Sequence, residues 1–247
     1  MACVGMWNGC FNSIQVICRE RQIVKREHRA GMHITSYVVA HLIYQLFLCS
    51  MQTLITVLVC KYTGVYYPAE GIISTSFSVD LFITLLLVTY AADVLALMVS
   101  AIVHSTTSAM TVMPFMLIVQ LVFAGFLQLP EYLKEVSDLM ITRWGMKAFC
   151  VIGHYNELPA VVIWNKLRAA SNVELMQGVT LADAMNALEE QGMRETVQYK
   201  LAAATQNPDY NATIENLLSS WGHLVAFILV FAFLTIVFLE FIDKDKR

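Results

Sequence analysis

Charged side chains are scarce in this chain: Asp, Glu, Lys and Arg make up 14% of its 247 residues, against 57% apolar types. With a mean hydropathy of +0.60, that balance excludes an ordinary soluble domain, which could not hide so much apolar surface from water. The net charge of −3 is too small to imply a nucleic-acid partner. Catalytic signatures are missing too. There is no GxxxxGK followed by Ser or Thr, no HExxH, no GxSxG and no GxGxxG, so nothing reads as a nucleotide, zinc or nucleophile-elbow site. The chain by itself is therefore expected not to be an enzyme and to carry no cofactor of its own. No CxxC or Cys/His spacing points to a metal, and His28 and His33, five apart, do not share a helix face.

What the chain does have is apolar length. Residues 37–60, 78–103, 107–128 and 222–241 each reach the roughly 20 residues that a helix needs to cross about 30 Å of hydrocarbon. In lipid every backbone N–H and C=O must be paired internally, and the alternating pattern of a membrane barrel is absent. Each stretch is read as a transmembrane helix, and the fold class as an all-α polytopic membrane protein.

Orientation follows from the short connections, because Lys and Arg accumulate on the cytoplasmic side. Segment 19–35 carries Arg19, Arg21, Lys25, Arg26 and Arg29, and the tail carries Lys244, Lys246 and Arg247, whereas 61–77 has only Lys61. The four spans then run outward, inward, outward and inward, with a cytoplasmic C-terminus. Residues 1–18 are apolar without the leading charges or small-residue cleavage site of a signal peptide. They are expected to form a further membrane helix that runs inward, and an inward first helix points to sequence upstream.

The outer region, 129–221, divides in two. Residues 131–152 are too polar to span alone and suit an interfacial or re-entrant helix, with Trp144 and Tyr155 at headgroup depth. From 159 to 221 the composition turns soluble. Ser171 to Glu174 and Thr180 to Asp183 have capping-box spacing, and 181–204 repeats apolar residues near helical period, so a small helical cap is expected. Asn211-Ala212-Thr213 is a glycosylation sequon on that side. A Cys60 to Cys150 disulfide is geometrically allowed there, though cysteine count and spacing do not call for one.

Polar groups inside the spans are costly and are functional candidates by default. Asp80 lies near the outer end of its span, where water is close; Asp93 is deeper and is either a pathway group or a helix-to-helix hydrogen-bonding residue. His41 and Gln45, at i and i+4, share a face with Gln52 two turns on, an arrangement that also serves as interhelical polar glue. The basic run 19–29 suits an anionic lipid surface, but Glu20, Glu27, Ile23 and Val24 make it mixed and amphipathic, which suits a protein surface at least as well.

An ordered series of motifs resembles the permease domain of type-2 ATP-binding cassette exporters, closest to the G subfamily. Asn8-Gly9-Cys10-Phe11-Asn12-Ser13 is similar to that family's second span, followed by Glu20-Arg21 and Arg26-Glu27, then Gly31 and Ser36-Tyr37 opening the next span. Phe123-Ala124-Gly125-Phe126-Leu127 resembles the fifth-span ending, and Ile141 to Phe149 with Asn156-Glu157 resembles the re-entrant motif. The resemblance covers most of 1–158 and the last span. It implies spans two to six, a coupling segment at 19–35 (Glu20, Arg21, Lys25, Arg26, Glu27, Arg29), a pathway lined by Asn8, Phe11, Ile118 and Leu121, and an upper plug of Phe126 and Leu127. As partners it implies an ATP-binding cassette domain or subunit, which would hold ATP and Mg, and a second permease copy. Surrounding lipid completes the set. Exported compounds would be amphipathic or apolar. Two other readings remain open: a proton-coupled secondary carrier using Asp93 and His41, and a non-transporting scaffold whose outer cap binds a partner.

Overall fold

Small residues set the centre of the molecule. In the computed structural model, residues 1–63, 71–124, 131–156, 174–176, 179–180, 186–187 and 207–241 are described. Helix α1 (Ala2–Ser13) lies along α4 (Phe77–Ile102), with Gly5, Gly9 and Ser13, one turn apart, on the contact face. A Cβ on Gly9 would stand 2.1 Å from the Thr89 carbonyl oxygen and 2.8 Å from the Asp93 nitrogen. Close approach of this kind maximises dispersion contact where lipid offers no hydrophobic drive between helices. Ala91, Ala92, Ala96 and Ser100 keep the same face of α4 narrow, and all four are fully buried.

Residues 1–18 do not form the single membrane helix expected of them. The chain turns at Ile14 and Gln15 and restarts as α2 (Val16–Arg29), leaving α1 with 12 residues. Twelve residues cover roughly 18 Å. The change at residue 16 follows composition: α1 is apolar on nearly all sides, whereas α2 is strongly amphipathic and buries only Ile17, Cys18 and Val24. At its end, the Met32 N–H bonds to the Glu27 carbonyl and the Gly31 N–H to that of His28, both at 3.0 Å. This ending needs a left-handed residue, and Gly31 supplies it at φ 105°.

Helices α3 (Ile34–Tyr62), α4 and α8 (Ile214–Glu240) are long and apolar enough to cross a membrane. Ile17, Val24, Ile34, Val38, Leu97, Ala101 and Leu239 form one buried cluster, so α3 begins where α4 and α8 end. At the other end Val57, Phe77, Leu81, Leu217 and Val151 form a second. Helix α3 thus runs one way and α4 and α8 the other. Helix α8 starts eight residues earlier than hydropathy indicated, because the Thr213 hydroxyl accepts from the Asn216 N–H at 3.4 Å.

The third expected span, 107–128, is shortened. Helix α5 (Thr106–Val122) has 17 residues with Pro114 inside it. Its last carbonyls are taken over by a helix pair, α6 (Glu131–Asp138) and α7 (Ile141–Ile152), where one segment over 131–152 was expected. Thr142 Oγ1 donates to the Gln120 carbonyl, its N–H bonds to Gln120 Oε1 at 3.2 Å, and Ser137 Oγ donates to the Phe123 carbonyl at 2.8 Å. Carbonyls that a helix end leaves open in an apolar setting need such partners. Gly145 lets α7 pack on α4: a Cβ there would meet Val88 at 2.8 Å.

The expected capping box at 171–174 is not realised. Glu174 belongs to a short strand, β1 (Glu174–Met176), paired antiparallel with β2 (Val179–Thr180). Its backbone is committed to a ladder partner, Thr180, and cannot open a helix. Most of 159–206 lies outside the described residues, as does the periodic stretch 181–204 except for Asn186 and Ala187. Cys60 and Cys150 are both free thiols.

Candidate functional site

One side of the bundle stays open. Between α1 and α5 large apolar side chains remain uncovered: Trp7 is 56% exposed, Phe11 50%, Ile118 56% and Leu121 49%. Trp7 and Phe11, one turn apart, stack with ring centroids 6.2 Å apart and planes 7° from parallel. Beside them a cavity of about 290 Å³ is lined by Trp7, Met6, Pro114, Leu117, Ile118 and Leu121, with Thr142 as a polar neighbour. Phe11 lines the next cavity inward, of about 360 Å³, with Asn12, Gln15, Arg19 and Met110. Three of the expected pathway residues, Phe11, Ile118 and Leu121, therefore face this groove. Asn8 does not line the upper cavity; it is half-buried on α1. Phe126 and Leu127 lie outside the described residues. Trp7, which is not among the expected pathway residues, also lines the upper cavity, and its i, i+4 spacing to Phe11 on an apolar helix is the sequence signal for that shared face.

The expected coupling residues separate into two groups. Glu20 and Arg21 turn inward. Tyr37 donates its hydroxyl to Glu20 Oε2 at 2.8 Å, and His41 Nε2 approaches the same oxygen at 3.6 Å, packed edge-on to Tyr37 at 4.5 Å. Arg21 Nη1 reaches across to the carbonyls of Ala101 at 2.9 Å and Val103 at 3.2 Å. Those carbonyls end α4, where a cation also complements the helix dipole. Arg26, Glu27 and Arg29 are exposed with Ile23 and Gln22, and Lys25 is half-buried. Helix α2 is thus pinned to two spans by adjacent residues while its opposite face stays open.

Polar groups form a seam among α1, α3 and α4. Asn12 and Gln52 exchange two hydrogen bonds, Nδ2 to Oε1 at 2.8 Å and Nε2 to Oδ1 at 2.9 Å. Ser13 Oγ donates to Asp93 Oδ1 at 2.7 Å, while Asp93 Oδ2, Gln45 Oε1 and Thr53 Oγ1 have no partner among the described residues. His41 is not part of the contact around Asp93, because its ring turns to Glu20. Asp80 is buried rather than near water, and its carboxylate accepts the N–H groups of Ile72 at 2.7 Å, Ile73 at 3.0 Å and Ser74 at 3.1 Å.

At the far end α7 and the residues after it are fastened to α6, to α8 and to the turn at 207–211 that precedes α8. The Trp144 ring stacks on His223 at 3.6 Å, its Nε1 donates to the Asp138 carbonyl at 2.7 Å, and Lys147 pairs with Asp209 at 3.4 Å. Asn156 Nδ2 donates to Asn211 Oδ1 at 2.6 Å, so the sequon asparagine also serves as a brace. Burial pushes the Tyr210 hydroxyl pKa above its ordinary value.

The family model described as "ABC-2 type transporter" matches residues 1–153, well over half of the chain. The chain belongs to the ABC-2 type transporter family. It is a permease component, a membrane transporter domain built of apolar helices. The "ABC transporter ATP-binding/permease protein Rv1747" of Mycobacterium tuberculosis (strain ATCC 25618 / H37Rv) is 28% identical over 147 residues, which are 57% of this chain and 16% of that protein. The chain thus spans a small part of the length of that relative. No solved structure matches this ABC-2 chain.

Proposed function

We propose that this ABC-2 domain is the permease half of an ATP-driven exporter of the G-subfamily kind, in which two copies enclose a pathway between their α1 and α5 faces. The observation that carries this reading is the open groove bearing Trp7, Phe11, Ile118 and Leu121. Apolar side chains in a concave groove hold a ligand by area removed from water, so an amphipathic or apolar compound fits. Phe126 and Leu127 would close the path at its outer end. The exposed Arg26, Glu27 and Arg29 would meet an ATP-binding cassette that carries ATP and Mg. Movement there would pass through Glu20 to α3 and through Arg21 to α4. The end of the bundle holding α2, with the C-terminus, would be cytoplasmic.

The carrier reading is less well supported, since His41 is engaged by Glu20 and Asp93 by Ser13. The test is a mild-detergent pull-down of the native protein through a tag after Arg247, followed by mass spectrometry. A stoichiometric Walker-motif ATPase, fused or separate, is expected, and Arg26→Glu should lower its ATP turnover several-fold. Recovery of no ATPase at any detergent concentration would discard the exporter reading.

A further inference from the structure

The groove changes character along its length, and this inference rests on the substrate-path reading above. Its upper cavity has one polar neighbour, Thr142. The middle cavity is mixed, and a third, open one of about 770 Å³ brings Gln15 and Arg19 against Thr106, Thr107 and Thr111. Gln15, Arg19 and Met110 line both inner cavities, and the Trp7 and Phe11 stack joins the upper two. The three are steps of one groove between α1–α2 and α5.

Two charged side chains border the groove, Arg19 on both inner cavities and Glu20 on the middle one. Glu20 borders the middle cavity, but its carboxylate accepts from Tyr37 and approaches His41. Arg21 spends its guanidinium on the end of α4. The Arg19 side chain is exposed, its guanidinium has no hydrogen bond or ion pair among the described residues, and it borders both inner cavities; only its backbone N–H is engaged, by the Gln15 carbonyl at 3.0 Å. An unpaired guanidinium offers five donors in a planar fork suited to phosphate or carboxylate oxygens.

We propose that the transported molecule is an amphiphile with an anionic head, its apolar body lying against Trp7, Ile118 and Leu121 and its head held at Arg19. The body alone would be bound by any apolar groove; Arg19 adds the selection for charge.

The test uses the full-length protein in phosphatidylcholine nanodiscs, titrated with two fluorescent probes that share one alkyl chain and end in phosphate or in trimethylammonium. The phosphate probe should bind about tenfold tighter, the worth of one charge-assisted contact. Arg19→Gln should bring the two affinities together, and Arg19→Lys should keep the phosphate probe ahead. Trp7→Ala should weaken both probes equally. Inorganic phosphate at the same concentration should not compete, which separates a head group from a free anion. The proposal is overturned if Arg19→Gln leaves the phosphate preference unchanged or if the trimethylammonium probe binds as tightly in the native protein. Probes that do not bind at all, or that ignore Trp7→Ala, overturn the substrate-path reading itself.

Discussion

Two carboxylates in one helix show how little residue type says about role. Asp80 accepts three backbone N–H groups of the loop before α4, so both of its oxygens are committed. Asp80→Asn would turn an amide N–H₂ toward donors, and a loss of about 1–3 kcal/mol is expected, read as a lower Tm in detergent. Asp93 uses only Oδ1, toward Ser13. Asp93→Asn keeps that acceptor and puts a neutral amide in place of a buried carboxyl group, so Tm should hold or rise, while Ser13→Ala should cost about 0.6 kcal/mol. A Tm loss in Asp93→Asn matching that of Asp80→Asn would refute the distinction. Glycine separates in the same way. Gly9 has backbone of α4 within 2.1 Å of where a Cβ would be, and Gly222 has nothing within 4 Å. Gly9→Ala should abolish the folded bundle, whereas Gly222→Ala should gain roughly 0.5–1 kcal/mol through helix propensity.

At the scale of elements, α2 is joined to the spans by two adjacent residues pointing to different helices. Arg21→Ala leaves the Ala101 and Val103 carbonyls without their arginine donor while the exposed face of α2 is unchanged. The expected outcome is cassette binding retained but substrate-stimulated ATP turnover reduced several-fold, measured on reconstituted protein. Equal loss of binding would mean that Arg21 belongs to the docking surface after all. The α5–α7 junction depends on Thr142 in a similar way. Thr142→Val keeps the shape and removes the hydroxyl donor to the Gln120 carbonyl, so a loss of about 1–3 kcal/mol is expected in the same melting measurement.

At the scale of the whole molecule, α3 and α8 present large side chains outward as well, among them Phe47, Ile43, Leu229 and Phe233. Long helices of this kind satisfy their own backbone, so these faces are suited to lipid. The α1–α5 face differs in being concave and in running into polar cavities. If two copies meet there, a single cysteine at Ile118 in a cysteine-free background should cross-link efficiently, and one at Phe233 should not. The reverse pattern would place the dimer contact on α8.

Hydropathy, a local property, was enough to locate the long apolar helices α3, α4 and α8, because the lipid boundary acts on each segment independently. The family's motifs likewise marked Phe11, Ile118 and Leu121 for the groove. Hydropathy did not reveal that α5 stops at Val122, since the partners that take over its last carbonyls, Ser137 and Thr142, come from elsewhere in the chain. Nor did it show that Glu20 and Arg21 face inward while Arg26 faces out. Helical position divides α2 into faces, but which face meets α3 and α4 is decided only when Gly5, Gly9 and Ser13 let α1 settle against α4.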